Sequence, residues 1–391
     1  FVLFAFSWTN YLFISVLIIP LSLFFVLPYI TNNLMKMQLY VVILFFYCIL
    51  STLLVSPQSL LDFSFYRRDG NIFISFIPLI TLSFIKFHFH SFNFIKKLIQ
   101  IVTFFNLSIY LYFLQAGNLF EISNLYYFGF TSHNAAGGFL AIISCFSLCL
   151  FYYQKNMINF LIAIFNIFTL FETGSRGSYF ALILGVIFIY LHSRNYYKTI
   201  IFSIFLGLII HISVVLWGYE QHQKYWDEDD FYAMDVMELD VRNSNNISHR
   251  IIKVWPWAVS DFLNSPIIGT GFSTFNDREV PLKEILPGIK LRILDSNIYN
   301  SGHAHHSFLN FLAELGLIGF ILVCLVLHQI YNSILRLPAF ERTACLLSFV
   351  VLLLMSLTEH RLVAPSQAFI FFAIYSIFLK NTYKKLRIKN V

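Results

Sequence analysis

The sequence predicts an all-α polytopic membrane protein. Three observations predict it. The chain is 58% hydrophobic and 12% charged, with a mean hydropathy of +0.72. Apolar runs long enough to cross a bilayer recur along it. A single long polar stretch, 219–304, interrupts them. A soluble domain could not hide this much apolar surface in its core.

The apolar runs lie near 9–30, 37–56, 72–90, 97–115, 135–154, 157–172, 177–193, 199–218, 305–327, 342–358 and 362–379. That makes about 11 transmembrane helices in three blocks. Residues 1–218 carry the first eight. Residues 219–304 form one large outer loop. Residues 305–391 carry three more and a basic tail. The runs 157–172 and 177–193 are short and suit tilted or re-entrant segments.

Lys and Arg in the short loops set the orientation. With Lys380, Lys384, Lys385, Arg387 and Lys389 in the cytoplasm, Lys36, Lys86, Lys96, Lys97, Lys155, Arg194, Lys198, Arg336 and Arg342 follow them there. Only Arg67, Arg68, Arg176 and Arg361 fall in short outer loops, and 219–304 is then outside. The same alternation puts the start of the first span outside. A multi-span chain usually starts inside, so the expectation is one further N-terminal helix, twelve in the full protein. The alternative is that the first thirty residues hold two short packed segments.

The net charge of +6 reflects these cytoplasmic lysines and implies no nucleic-acid partner. Cys48, Cys145, Cys149, Cys324 and Cys345 all sit in apolar runs without metal-ligand spacing. They read as packing residues rather than a disulfide framework.

The outer loop carries thirteen Asp and Glu against eight Lys and Arg. Its run Asp227-Glu228-Asp229-Asp230 reads as a solvated face, because no D-x-D-x-D-G calcium pattern is present. His249–Trp255 has apolar residues at helical spacing, and Asn264–Phe272 is a turn rich in breakers. The loop is therefore expected to fold as a small subdomain of short helices.

At its end comes Gly302-His303-Ala304-His305-His306-Ser307, leading into Phe308–Gly319. On a helix running on from His305, Leu309, Leu312, Gly316 and Gly319 would share its face within about 40°. The glycine pair would then let a neighbouring helix approach closely. Glu314 falls on the opposite face and reads as a structural carboxylate.

Two arginines stand on the same outer side. Arg176 is flanked by Gly and small hydroxyls in Thr173–Ser178, and Arg250 lies beside Trp255 and Trp257. Guanidinium binds phosphate oxygens bidentately. Each arginine alone also suits a structural role, as a snorkelling or cation–π residue. Two arginines and an imidazole on one side make a diphosphate site with a general base. Arginines that neutralise the phosphates leave no need for a metal or cofactor.

These residues carry a resemblance. Ser175-Arg176-Gly177, Arg250 before the loop tryptophans, Pro266-x-x-Gly269-x-Gly271, and His303-x-His305-x-x-x-Leu309 with Glu314-x-Gly316-x-x-Gly319 resemble the O-antigen ligase and O-antigen polymerase superfamily. The resemblance covers about residues 130–330. It implies an integral-membrane glycosyltransferase-type fold in the bacterial inner membrane, with the site facing the periplasm. It implies a glycan donor linked to undecaprenyl diphosphate, drawn from the membrane lipid. The acceptor is lipid A-core for a ligase, the growing glycan for a polymerase, or a protein hydroxyl for an O-oligosaccharyltransferase. By position, Arg176 and Arg250 would bind the diphosphate, and His305 would activate the acceptor hydroxyl. The family usually has Asn, Ser or Gln after that histidine. Here it is His306, which stands as the second choice of base, although choosing it breaks the spacing to Gly316. A transporter or flippase, the competing class, would show mid-membrane ionisable residues and internal repeats. Only Glu314 lies well inside a span in this reading, and no repeat is visible.

Overall fold

The computed structural model describes residues 36–55, 57, 71–81, 91–115, 133–226, 247–272, 274–277, 282–286, 289–292, 303–364 and 366–389. The expected span 9–30, the further N-terminal helix, Arg67, Arg68, Lys86 and the acidic run 227–230 lie outside the described residues.

Within them the chain is almost wholly helical. The elements are α1 (Lys36–Val55), α2 (Asn71–Thr81), α3 (Ser91–Gln115), α4 (His133–Gln154), α5 (Met157–Glu172), α6 (Arg176–Ser193) and α7 (Tyr197–Trp226). Then come α8 (Ile247–His249), a π-helical turn (Arg250–Val254), α9 (Trp255–Asn264), α10 (Ser307–Ile334), α11 (Ala339–Met355) and α12 (Ala368–Lys389). Among the described residues, six helices are long and apolar enough to cross a membrane: α1, α4, α6, α7, α10, and α3 over Phe92–Tyr112. Ile72–Thr81, Met157–Glu172 and Ala368–Leu379 are shorter apolar helices. The protein is a polytopic all-α membrane protein with one small exception. Leu282–Leu286 (β1) and Ile289–Arg292 (β2) pair antiparallel, Leu282 opposite Arg292, where only short helices were expected. The Pro287-Gly288 dipeptide between them is a turn signal.

α4 is the central helix. Of its most apolar stretch 78% is buried, against 11% for α7 at the periphery. Small residues make α4's close contacts possible. A Cβ on Gly137 would collide with Ser175 of the α5–α6 turn, and one on Gly138 would come 2.6 Å from Gln367 before α12. α5, α6 and α11 pack on α4, α10 on α1, and α12 on α2. Phe146, Phe371, Phe372, Tyr375 and Phe378 fill the middle.

The helices alternate in direction. Tyr153 near the end of α4 donates to the Ala339 carbonyl at the start of α11, 2.9 Å away. The ends near Lys155, Arg194, Lys198, Arg336 and Arg342 thus gather on one side of the bundle. The starts of α4, α6 and α10 and the end of α11 gather on the other.

The helical stripe expected from His305 does not form. His305 has φ 48, in the left-handed region, so the helix cannot run through it. α10 starts at Ser307, with His306 as its N-cap. The helix breaks again at Gly316, where φ is 61 and ψ −164. The glycine does allow a close approach, but by a loop rather than a helix. A Cβ on Gly316 would collide with the Ile267 carbonyl, and one on Gly269 with the Glu314 carbonyl. Backbone bonds stitch the joint. Thr270 N–H donates to Ala313 O and Gly271 N–H to Glu314 O, both at 3.0 Å, and Leu317 N–H donates to Pro266 O at 2.8 Å. Tyr47 of α1 adds its hydroxyl to Leu315 O at 3.0 Å. The Pro266–Gly271 motif and the Gly316 motif are therefore two sides of one joint. Glu314 is buried beside it and accepts the Phe275 N–H at 3.3 Å, a structural role.

Alanine at 316 would adopt a conformation reserved for glycine, at a cost of about 1–3 kcal/mol before any collision. Gly316→Ala is expected to melt well below the parent protein in detergent. Gly207→Ala, on α7 with open space around its Cβ, should melt like the parent.

Candidate active site

The site assembles at the bundle end where α4, α6 and α10 begin and α11 ends. Residues 356–364 leave the helix after α11 and run as turns and irregular backbone. They are tied to the start of α10. Ser307 N–H donates to Ser356 O at 2.9 Å, and Ser307 Oγ to Glu359 O at 3.2 Å. Glu359 is thereby held, buried, in the middle of the cluster.

Glu359 is the hub. Its Oε1 accepts from Arg250 Nη1 and from Asn134 Nδ2, each at 2.8 Å. Its Oε2 lies 2.9 Å from His305 Nδ1. Arg250 Nη1 also donates to Thr358 O at 2.7 Å, and Arg361 Nη1 to Asn134 O at 2.6 Å. Burial pushes the Glu359 carboxyl up, but His305, Arg361 and Arg250 outweigh it and hold it well below the usual carboxylate range. An ionised carboxylate only accepts, so Nδ1 of His305 must carry the proton. The lone pair of neutral His305 is then on Nε2, in a side chain that is 22% exposed. A carboxylate that fixes a histidine tautomer and supports its protonated form is the arrangement of a general base.

Arg250 reaches the hub because of the π-helical turn it opens. The Trp255 N–H bonds back to Arg250 O across five residues, a widened turn often found at functional sites. Arg250 Nε and Arg361 Nε are buried and have no hydrogen-bond partner among the described residues. The cluster thus carries two guanidinium groups against one carboxylate.

Arg176 lies at the first turn of α6, exposed, outside this ion-pair cluster. Its neighbours belong to the cluster. Ser175 Oγ donates to Asn134 Oδ1 at 3.1 Å, and a Cβ on Gly177 would come 2.9 Å from Thr358 Oγ1. The structure therefore joins Arg250 and His305 directly through Glu359, and seats the backbone that bears Arg176 against the same segment.

His306 is engaged elsewhere. Its Nδ1 accepts the Leu309 N–H at 3.1 Å, and its Nε2 lies 2.7 Å from Nε2 of His211 on α7. Burial first, then His211, pushes its pKa down to about 3. His303 stacks edge-on to His305 with ring centres 4.4 Å apart, and burial followed by His305 pushes it to about 3 as well.

His303, His305 and Glu359 offer ligand atoms within 4.8 Å of one another and could hold a divalent ion. Such an ion would have to displace the His305 N–H from Glu359 and sit close to Arg250.

Sequence reasoning missed Glu359, Asn134 and His211, and counted Arg361 only as an outer-loop charge. A signal for Glu359 was present, since it is the only acidic residue after Glu341. It sits between two apolar runs, where a carboxylate needs a reason to be.

Residues 158–324 match the family described as O-antigen ligase. The matched segment runs from α5 into α10 and contains Arg176, Arg250 and His305, but ends before Glu359. No curated protein matches the chain.

Proposed function

We propose that this chain, whose residues 158–324 support the O-antigen ligase/polymerase superfamily, is a glycosyltransferase moving a glycan from undecaprenyl diphosphate to a hydroxyl of lipid A-core. The observation that carries this reading is the chain His305–Glu359–Arg250, with contacts of 2.9 and 2.8 Å. His305 Nε2 takes the proton of the acceptor hydroxyl as its oxygen bonds to the anomeric carbon. The bond from that carbon to the diphosphate oxygen breaks, and the carrier leaves as undecaprenyl diphosphate. Glu359 stabilises the imidazolium that forms. Arg250, held beside His305 by Glu359, and the exposed Arg176 offset the charge growing on the leaving diphosphate. With two arginines in this role the reaction needs no divalent ion.

The test is transfer by purified protein given lipid-linked glycan and lipid A-core. The expected product is glycan-bearing lipid A-core, formed equally well in excess chelator. Lengthening of the lipid-linked glycan instead would make the protein a polymerase. Formation of neither product would overturn the reading.

The site faces the periplasm in this reading, because the basic helix ends lie on the opposite side of the bundle. A cysteine at Ser244, in the outer loop beyond the described residues, should be labelled in intact cells by a reagent that cannot cross the inner membrane. Labelling only after permeabilisation would invert the topology.

A further inference from the structure

His211 is the only ionisable side chain between Thr199 and Gly218 of α7. Such a group within a span is costly and is kept where it has a partner and a task. Its partner is His306, with the two Nε2 atoms 2.7 Å apart. The proton positions follow from the neighbours. His306 Nδ1 accepts the Leu309 N–H, so it carries no proton. A neutral imidazole must then carry its proton on Nε2. His306 therefore donates to His211, whose Nε2 is bare and whose proton is on Nδ1. Trp255 lies against both rings, its ring centre 5.3 Å from His306 and 5.5 Å from His211.

Asn or Ser at position 306 would cap α10 with an oxygen, which has no tautomer to choose. Histidine caps only while Nδ1 is bare, and it then carries an N–H on Nε2 that must be satisfied in a buried position. His211 meets that need. Without it His306 gains by changing tautomer or rotating, and either change gives up the cap. His305 immediately precedes this cap, in a left-handed conformation. A loosened cap lets His305 drift from Glu359.

We propose that His211 is a positioning residue for the transfer, acting through His306 to hold His305 against Glu359. This rests on the reading of His305 as the base. The test compares His211→Leu, His211→Gln, His306→Asn and the double variant H211L/H306N. The readout is transfer by protein in liposomes with lipid-linked glycan, at matched amounts of folded protein. His211→Leu is expected to lower kcat on the order of 10- to 100-fold, as a base displaced by about 1 Å would, with KM for the donor little changed. His211→Gln, which can still accept from Nε2, should retain most activity. His306→Asn should be near the parent, and adding it to His211→Leu should restore the rate. Parent-like kcat in His211→Leu, or a double variant as impaired as His211→Leu, would overturn the proposal. If the parent itself transfers nothing, the functional reading falls, and the pair is judged by melting temperature. His306→Asn should then cancel the loss caused by His211→Leu, and simple additivity would overturn the coupling.

Discussion

His305→Ala is expected to lower glycan transfer by about 10²–10⁴-fold, the contribution of a general base. The protein should still insert and elute from size exclusion as the parent does. His305 lies outside the helix, partly exposed, and among the described residues its hydrogen bond is to Glu359. Losing it leaves Glu359 with Arg250 and Asn134, so no charge is stranded. His306→Asn is the companion measurement, and it should retain near-parent activity because asparagine also caps a helix. Parent-like activity in His305→Ala together with loss in His306→Asn would move the base to His306.

Glu359→Ala should damage both stability and activity. It leaves the buried Arg250 and Arg361 guanidinium groups without their shared carboxylate, a change that costs about 3–5 kcal/mol. It also frees the His305 tautomer. Glu359→Gln separates the two effects, since its amide oxygen can still accept from His305 or Arg250 but carries no charge. It should fold and transfer slowly. Acid behaviour gives a further check. The carboxyl is depressed in the folded protein, so its stabilisation is complete above the ordinary value of 4.5 and is lost as pH falls towards the lower folded value. Melting temperature measured down through acid pH should fall less steeply in Glu359→Gln than in the parent. An equal fall would mean that Glu359 is not the group responsible.

The helical membrane fold was legible because apolar length alone predicts spans, and α1, α4, α6, α7 and α10 lie where the runs lie. Arg250 and His305 were legible as a pair because charge counting put both on one side. The contact between them was not, because Glu359 joins them from a segment far along the chain. The irregular backbone at 356–364 was hidden because apolar runs flank it closely. The helix around His305 was misread for a local reason. Periodicity assumes regular φ and ψ, and both His305 and Gly316 depart from them. His211 was passed over because one histidine hardly alters the hydropathy of a long apolar helix.

The segment from Ser307 to Leu315 is clamped at both ends by other parts of the chain. Residue 356 grips one end, and residues 266–271 grip the other. Between them it behaves as a ruler of fixed length. One inserted residue would turn one clamp about 100° relative to the other, and both could not stay closed. Substitutions within the ruler are tolerable in principle, but insertions and deletions are not. The 219–304 loop thereby sets where the imidazole stands, although Pro266–Gly271 touches the helix about two turns away from it.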